Sequence, residues 1–565
     1  MTKRRRKPEK SDWQRAAFAQ LKSVGARDSR LRISGSVRMC DNGSLYATIT
    51  LDTSSIAKAA GGLCIGDSED LLVAVPPSPY LPPQVFTGHS RFSGFPHVLQ
   101  GHNLCIYLDP SREWDPVDGM VGFLNRLWAW LEDAAANRFD ASEALYHPVG
   151  GVLHRTPGTP TVVVRNLDAV PSHQVIGLRS RNERRLDVDD PLATGERSMV
   201  FAVDHALPLG ADNTLDGLLA RLAQQGSQFL TMLESATRRN PAGTPQIFIL
   251  SVPHPAGGPS HLLAGRIPAQ YIDAIFRAEA ATAELQSPVG QAPIEWCNIS
   301  DERSCVTKRR DESKPVNGLA NKNILVWGCG GLGSWIAEFV VRAGARRVCL
   351  HDPGIITGGL LVRQNFTEND IGADKASALA TRLQAISDRT EIRVRHGYEP
   401  DDGDFAAADL IIDATVSIAV TRTLDAMFLN THRNLWIAQV ATDMRTGTLA
   451  LLHVSGPSGP PLLALDDVAE TQVRKQGSLE AYQRFWDEPR PGDELIPTRG
   501  CSVPTFHGSG ADLAGLAAIM TTQIGGHLRT QCELSGTHLL SLPGAETDIA
   551  HEFLPWAADA SVVQV

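Results

Sequence analysis

Residues 323–352 read NILVWGCGGLGSWIAEFVVRAGARRVCLHD. Ile324 to Trp327 make a short apolar run, and Gly328, Gly330, Gly331 and Gly333 follow within a tight turn. A helical pattern then opens near Ser334, and a second apolar run ends in Asp352. Strand, glycine turn, helix, strand is the βαβ unit that opens a nucleotide-binding parallel sheet. The glycines let the backbone turn sharply and approach a ligand, and the amides at the helix start suit phosphate oxygens. Asp352 is placed to accept ribose hydroxyls. A nicotinamide-dependent dehydrogenase would share all of these features.

The next segment separates the two readings. Residues 360–383, LLVRQNFTENDIGADKASALATRL, place Arg363, Gln364 and Asn365 after the second strand and Lys375 at the start of the next helix. A dehydrogenase keeps its pyrophosphate intact and has no need of cations there. Attack of a carboxylate on the α-phosphate of ATP builds charge on several oxygens, which positioned Arg and Lys side chains stabilise. The following strand, DLIIDATVS over 409–417, ends in Asp413, a candidate Mg2+ ligand through one carboxylate plus phosphates and water.

As a set, GCGGLG, Asp352, Arg363-Gln364-Asn365, Asp374-Lys375 and the strand ending at Asp413 resemble the adenylating domain shared by ubiquitin-activating enzymes and the ThiF/MoeB family. The resemblance covers about a hundred residues. It implies ATP and Mg2+ as cofactors, and an arginine brought to the phosphates by Arg309 or Arg310, often across a homodimer. Two departures stand out. Val416 occupies the position where many relatives carry a second, metal-holding aspartate, and the relatives' paired zinc cysteines are missing. Cys501, in the Gly/Pro-rich stretch TRGCSVPTFHGSG before an apolar helix, resembles the thioester cysteine of ubiquitin-activating enzymes.

Upstream, residues 78–120 run SPYLPPQVFTGHSRFSGFPHVLQGHNLCIYLDPSREWDPVDGM. The order is proline-rich strand exit, Pro96-His97, Gly-x-x-x-Cys105, then Trp114-x-Pro116 and a helix. This resembles the ubiquitin-conjugating enzyme fold over about 130 residues, and it implies that Cys105 carries a thioester attacked by a lysine. The family's His-Pro-Asn is absent. His97, Asn103 or backbone amides are left to support the oxyanion.

The chain as a whole has 565 residues, enough for two to four domains. We expect three: an α+β ubiquitin-conjugating-like domain over 1–150, a mixed α/β linker domain over 151–310, and a Rossmann-like adenylation domain over 311–565 carrying the cysteine loop. In the first, a helix capped by Ser11, a meander over LRISGSVRMC, SLYATITLD and DLLVAVPP, and a helix over 117–136 are predicted. In the second, residues 215–239 read as one amphipathic helix.

Composition sets the outer limits. Hydrophobic residues make up 42% and charged residues 21%, and no apolar run reaches the ~20 residues of a membrane span. The basic start, MTKRRRKPEK, lacks a following apolar stretch and reads as a solvated tail rather than a signal peptide. A net charge of −10 argues against a general nucleic-acid surface. Nine cysteines without a C-x-x-C pair argue against a disulfide framework and point to free thiols in a cytoplasmic protein.

Taken together, the chain is similar to the fusions of conjugating-like (E2) and activating-like (E1) domains encoded beside cGAS-like nucleotidyltransferases in CBASS anti-phage operons, or in bacterial ubiquitin-like operons. The resemblance implies activation of a partner's C-terminal glycine carboxylate and transfer through Cys501 and Cys105 to a lysine on a target protein. The partner is then the nucleotidyltransferase or a ubiquitin-like modifier. An NAD-dependent oxidoreductase and a non-catalytic scaffold are the other classes that the residues leave open.

Overall fold

A computed structural model describes residues 10–40, 42–92, 95, 97–98, 103–107, 109–139, 156, 158–165, 167, 174–189, 195–205, 207, 214–253, 259–277, 291–303, 306, 311–397, 402–428, 434–487, 508–530 and 534–556. The chain divides into two compact units, 1–308 and 309–565. Among the described residues, no helix is long and apolar enough to cross a membrane.

The first unit opens with helix α1, Asp12–Arg27, whose start is closed by a reciprocal capping box between Ser11 and Gln14. Its buried stripe of Ala17, Phe18 and Leu21 packs over an antiparallel sheet. That sheet runs β1 (Leu31–Met39), β2 (Leu45–Asp52), β3 (Ser68–Val75), β4 (Gln84–Thr87) and β5 (Asn103–Leu104) in sequence order. On β2 the apolar residues Leu45, Ala47, Ile49 and Leu51 are buried at every second position, as expected of a strand with one face on a core. A short turn of helix, α2 (Pro110–Glu113), leads to α3 (Gly119–Ala135), which buries Met120, Phe123, Leu127 and Leu131. The predicted helix over 117–136 is thus found, two residues shorter at its start.

The rest of this unit is a closed seven-stranded barrel, where the sequence suggested only mixed structure. Its strands are β6 (Thr161–Val164), β7 (Gln174–Asn182), β8 (Arg185–Asp189), β9 (Glu196–Ala202), β10 (Gln246–Val252), β11 (His261–Ile267) and β12 (Glu295–Asp301). The parallel pairing of β9 with β10 completes the closure. The single helix expected over 215–239 is instead α4 (Leu215–Leu222) and α5 (Gly226–Thr237). The break falls at Ala223, whose φ of 48° lies in the left-handed region that a helix interior cannot contain. Helix α6 (Ala269–Phe276) follows β11.

The second unit is an eight-stranded sheet. Its strands are β13 (Asn323–Trp327), β14 (Arg347–His351), β15 (Glu391–Arg395), β16 (Leu410–Asp413), β17 (Trp436–Thr442), β18 (Leu449–Ser455), β19 (Gly536–Ser541) and β20 (His551–Pro555). The spatial order is β15-β14-β13-β16-β17-β18-β19-β20, with the first five strands parallel. From β13 the chain builds outward to β15 and then returns to β16 on the other side. The crevice beyond the carboxyl ends of β13 and β16 is therefore a topological switch point, where open α/β sheets bind ligands. Every residue of β13 is buried, the signature of a parallel strand covered on both faces. Helices α7 (Gly333–Arg342) and α8 (Lys375–Ile386) pack on this half. Three further helices follow, α9 (Asp402–Ala406), α10 (Ile418–Phe428) and α11 (Leu462–Lys475). The last, α12 (Gly510–Arg529), places Leu513, Leu516 and Met520 in the core cluster that holds Ile336 and Val340 of α7.

Candidate active sites

The glycine turn sits at the switch point, and its glycines have distinct jobs. Gly328 has φ 86°, and a Cβ there would stand 2.7 Å from the Ala414 carbonyl oxygen. A Cβ at Gly333 would stand 1.8 Å from the carbonyl oxygen of Gly328, so the turn closes on itself only with glycine at this position. Gly330 differs. A Cβ there would meet only the Gln364 amide nitrogen, 3.9 Å away, so its surface faces open space. The turn is held from below by Asp352, whose Oδ2 accepts from the Cys329 N–H at 2.7 Å while Oδ1 accepts from the Gly354 N–H at 2.7 Å. Cys329 itself is fully buried, and burial, reinforced by Asp352, pushes its thiol well up. It is an inert packing residue.

Lys375 opens α8, and its N–H donates to the Gly354 carbonyl at 2.9 Å. Its stem passes over Gly354, where an added Cβ would lie 3.3 Å from Lys375 Cδ and Cε and 2.9 Å from Asp352 Oδ1. Lys375 thus runs beside the carboxylate that braces the glycine turn. Gln364 adds a telling feature. Its Oε1 is buried with no hydrogen-bond partner among the described residues, and its amide hangs over Gly330. A buried polar atom without a partner costs about 1–3 kcal/mol, which a ligand donor would relieve. An open glycine surface and a lysine at the rim fit phosphate oxygens, and the unpartnered amide oxygen fits a hydroxyl or amine donor, so together they suit a nucleotide such as ATP.

Asn365 points elsewhere. Its N–H donates to Ser334 Oγ at 3.1 Å and its Nδ2 donates to Glu338 Oε2 at 2.6 Å. Burial alone would raise the Glu338 carboxyl, but hydrogen bonds from Asn365, Arg382 and Arg342 hold it below the usual carboxylate range. This network clamps the loop carrying Arg363 and Gln364 onto α7 and α8, and Trp335 Nε1 donates to the Arg363 carbonyl at 3.2 Å. Trp335 and Glu338 are positioning residues that the sequence reading did not single out, because their partners lie 28 and 27 residues further along the chain.

Asp413 is wholly buried and its carboxylate is occupied. Oδ1 accepts from the Thr415 N–H at 3.0 Å and the Thr415 hydroxyl at 2.6 Å, while Oδ2 accepts from Gln439 Nε2 at 3.0 Å. As arranged, it does not fit a direct Mg2+ ligand, and among the described residues no group of three or more His, Cys, Asp or Glu could hold a metal ion. Val416, three residues on, is 75% exposed with φ 54°. That strained backbone on a β-branched residue is stored beside the crevice.

In the first unit, Cys105 is half-buried in the segment after β5. Its N–H donates to the His97 carbonyl at 2.8 Å, and the Ile106 N–H donates to the Leu104 carbonyl at 3.0 Å. Both nearby amides are therefore taken by internal acceptors. The thiol donates to the Tyr107 carbonyl at 3.4 Å. Burial, and then the charge of Glu113, push its pKa above the ordinary thiol value. His97 has φ 63°, and its ring meets Phe139 edge-on at 4.7 Å. Asn103 lies on β5, opposite Phe86. Trp114 donates from Nε1 to the Pro79 carbonyl at 2.7 Å, tying the helix entry to the proline-rich crossing.

Cys501, Arg309 and Arg310 lie outside the described residues. What is described is the start of the helix that follows Cys501 in the sequence. Ser509 caps α12 in a capping box with Asp512, and a Cβ at Gly510 would stand 3.1 Å from the Val362 carbonyl oxygen. The chain after Cys501 thus returns beside the residue preceding Arg363.

Three known families match successive parts of the chain: prokaryotic E2 family A over residues 18–192, the Cap2 central linker domain over 192–302, and the ThiF family over 310–465. The chain is therefore a fusion of an E2-like and an E1-like (ThiF) domain around a linker. Strands β6 to β8 fall within the E2 family match yet fold into the barrel.

Among curated proteins, it is 29% identical over 150 residues to the ATP-dependent ubiquitin transferase-like protein Cap2 of Enterobacter hormaechei, covering 26% of this chain and 25% of that one. It is 32% identical over 133 residues to the Cap2 of Pseudomonas aeruginosa, covering 22% of each. The matched stretches thus span about a quarter of those relatives. A wheat ubiquitin-activating enzyme is 39% identical over 79 residues, 14% of this chain and 7% of that one. A solved structure of E. coli MccB with AMPCPP and MccA is 14% identical, covers 43% of this chain and 68% of that one, and superposes at a TM-score of only 0.31, too low to carry an argument.

Proposed function

We propose that this chain activates the C-terminal glycine carboxylate of a partner protein with ATP and passes it through cysteine thioesters to a target amine. The observation that carries the reading is the glycine turn at the switch point, with its open Gly330 and unpartnered Gln364 oxygen, in a chain whose other unit carries Cys105 in an E2-like domain. A dehydrogenase accounts for the turn but not for the E2-like domain. A scaffold accounts for both folds but not for an amide oxygen left without a partner over the turn.

In this proposal, ATP is bound along the turn with Asp352 bracing the backbone and positioned toward the ribose. Arg363 and Lys375 face the phosphates and the Gln364 oxygen accepts from a hydroxyl or amine of the nucleotide, while Asn365 holds their loop to α7 through Glu338. Arg310 joins them from a partner copy in a homodimer. The partner's carboxylate attacks the α-phosphate, and pyrophosphate leaves. Asp413, its oxygens already engaged by Thr415 and Gln439, takes no part in these steps.

Cys501 then attacks the acyl-adenylate and AMP leaves. Gly510, nine positions further on and at most roughly 30 Å away along an extended chain, lies beside the Arg363 loop. Cys105 receives the acyl group by thioester exchange, and a lysine amine attacks to give an amide. By resemblance to the CBASS fusions, the activated partner is a cGAS-like nucleotidyltransferase. A ubiquitin-like modifier is the second candidate.

The relay is tested on a non-reducing gel with ATP, magnesium and each candidate partner. A reductant-sensitive adduct is expected on the native protein, none on Cys501→Ala, and an accumulating adduct on Cys105→Ala that is not passed on. Full conjugation by Cys105→Ala would end the relay. Lys375→Ala is expected to lower partner-dependent ATP–pyrophosphate exchange at least ~100-fold, the scale of losing one preorganised charge at a developing oxyanion. Unchanged exchange would remove Lys375 from the site.

A further inference from the structure

A cavity of about 320 Å³ opens on the E2-like domain between α3 and the segment leading into it. Its walls include the rings of Tyr107 and Trp114, the carboxylates of Glu113, Asp115 and Asp118, and the guanidinium of Arg126. Arg126 is fixed in place. Its Nε donates to the Ile106 carbonyl at 2.9 Å and its Nη2 meets Glu113 at 3.3 Å. No ion pair links Asp115 or Asp118 to a cation among the described residues, and both side chains are exposed. The groove is thus a concave, aromatic-walled surface with excess negative charge. It also adjoins the cysteine, because the Cys105 thiol donates to the Tyr107 carbonyl and feels the charge of Glu113.

A second observation says what this surface faces. The start of α1 packs directly beside it. The Trp13 ring meets Trp114 edge-on, with centroids 5.9 Å apart, and Gln20 Oε1 accepts from the Met120 N–H at 2.9 Å. The chain preceding Ser11 therefore leaves the domain next to Trp114. That preceding segment carries Lys3, Arg4, Arg5, Arg6 and Lys7, five consecutive cations. Residues 3–7 lie four to eight positions before Ser11, a reach of roughly 14–27 Å in an extended chain. Tethering supplies an effective concentration on the order of millimolar, so individually weak surface ion pairs suffice to populate a docked state.

We propose that the basic segment 3–7 docks in cis in the groove at Asp115, Asp118 and Glu113. Guanidinium groups stack on the Tyr107 and Trp114 rings while the carboxylates hold the charge. The proposal stands whether or not Cys105 carries an acyl group, so it does not depend on the relay.

Zero-length carbodiimide crosslinking of the full chain tests it, because that reagent joins only amines and carboxylates already in contact. Unlabelled protein is mixed with ¹⁵N-labelled protein, digested with a protease that spares basic residues, and mapped by mass spectrometry. Lys58 and Asp67, 3.1 Å apart, provide the internal control. Crosslinks from Lys3 or Lys7 to Asp115, Asp118 or Glu113 within one isotopic chain are expected, reduced at least fivefold in Asp115→Asn/Asp118→Asn. Three results would overturn the proposal: control crosslinks alone, tail crosslinks spread over carboxylates elsewhere, or groove crosslinks found only between labelled and unlabelled chains.

Discussion

At the glycine turn the protein fixes its backbone and leaves a surface open, whereas at Cys105 it closes the surface on itself. Gly328 and Gly333 are wedged against carbonyl groups and Asp352 braces the turn, yet Gly330 faces space and Gln364 Oε1 waits for a donor. Around Cys105 the amides of residues 105 and 106 are taken, and the thiol donates to a carbonyl under the field of a carboxylate. The first arrangement lacks only partners that a nucleotide would supply, so binding requires little rearrangement. The second is a resting state, in which an incoming group must displace internal hydrogen bonds before the sulfur can react.

The sharpest way to break this contrast is to add one methyl group at each of two glycines three positions apart. Gly333→Ala forces a Cβ into the Gly328 carbonyl, and the cost should exceed ~4 kcal/mol, enough to unfold the second unit or lower its melting transition by many degrees. Gly330→Ala meets nothing nearer than 3.9 Å, so its melt should stay within ~1 kcal/mol of native while ATP affinity falls ~10-fold or more. Calorimetric melts and ATP titrations on both variants decide the matter. Equal melts would mean the turn is not closed as described, and unchanged ATP affinity in Gly330→Ala would move the nucleotide elsewhere.

The two sites also differ in how far the sequence disclosed them. The βαβ unit was legible because a parallel central strand must be apolar throughout and a turn this tight must be glycine, both local demands. The Ser11 cap and the α3 stripe were legible for the same reason. What escaped were long-range commitments. Asn365 reads as a ligand contact until Glu338, 27 residues away, is seen to hold its amide. Asp413 reads as a metal ligand until Gln439 and Thr415 are seen to fill its oxygens. Barrel closure through β9 and β10, and the break at Ala223, likewise depend on packing that no window of sequence contains. Both roles were read from residue type at a plausible position, without knowledge of these partners.

A smaller effect sharpens the resting-state reading of Cys105. Exposed Cys40 and Cys64 should react with iodoacetamide first, Cys105 more slowly, and buried Cys329 and Cys349 slowest of all. The Cys105 rate should keep rising with pH beyond the ordinary thiol range, because burial and Glu113 both disfavour the thiolate. Glu113→Gln removes the second cause and leaves the first, so the rate at pH 7.5 should rise by roughly two- to fivefold. Peptide-resolved alkylation measures each cysteine separately. A Cys105 as fast as Cys40 in the native protein would contradict a closed site.

A pH-dependent effect lies at β19 and β20 of the second unit, where His527, His538 and His551 form a chain of ring-to-ring hydrogen bonds, 2.8 Å at each step. His527 hydrogen-bonds the Leu534 backbone, which sets a direction: His551 donates to His538, and His538 donates to His527. Buried His538 must stay neutral to serve as both donor and acceptor. Burial, followed by the charges of His527 and His551, lowers its pKa to about 3. Because the folded pKa lies below the unfolded value of about 6.5, this contribution is fully present above pH 6.5 and is lost as pH falls from there toward 3, by at most ~1.4 kcal/mol per unit. Amide exchange in β19 and β20, corrected for intrinsic rates, should therefore show the hairpin weakening between pH 7 and 5. His538→Gln, which has no proton to gain, should flatten that slope while weakening the hairpin at pH 7. An identical slope in the variant would show that the imidazole chain does not set the acid sensitivity of this edge.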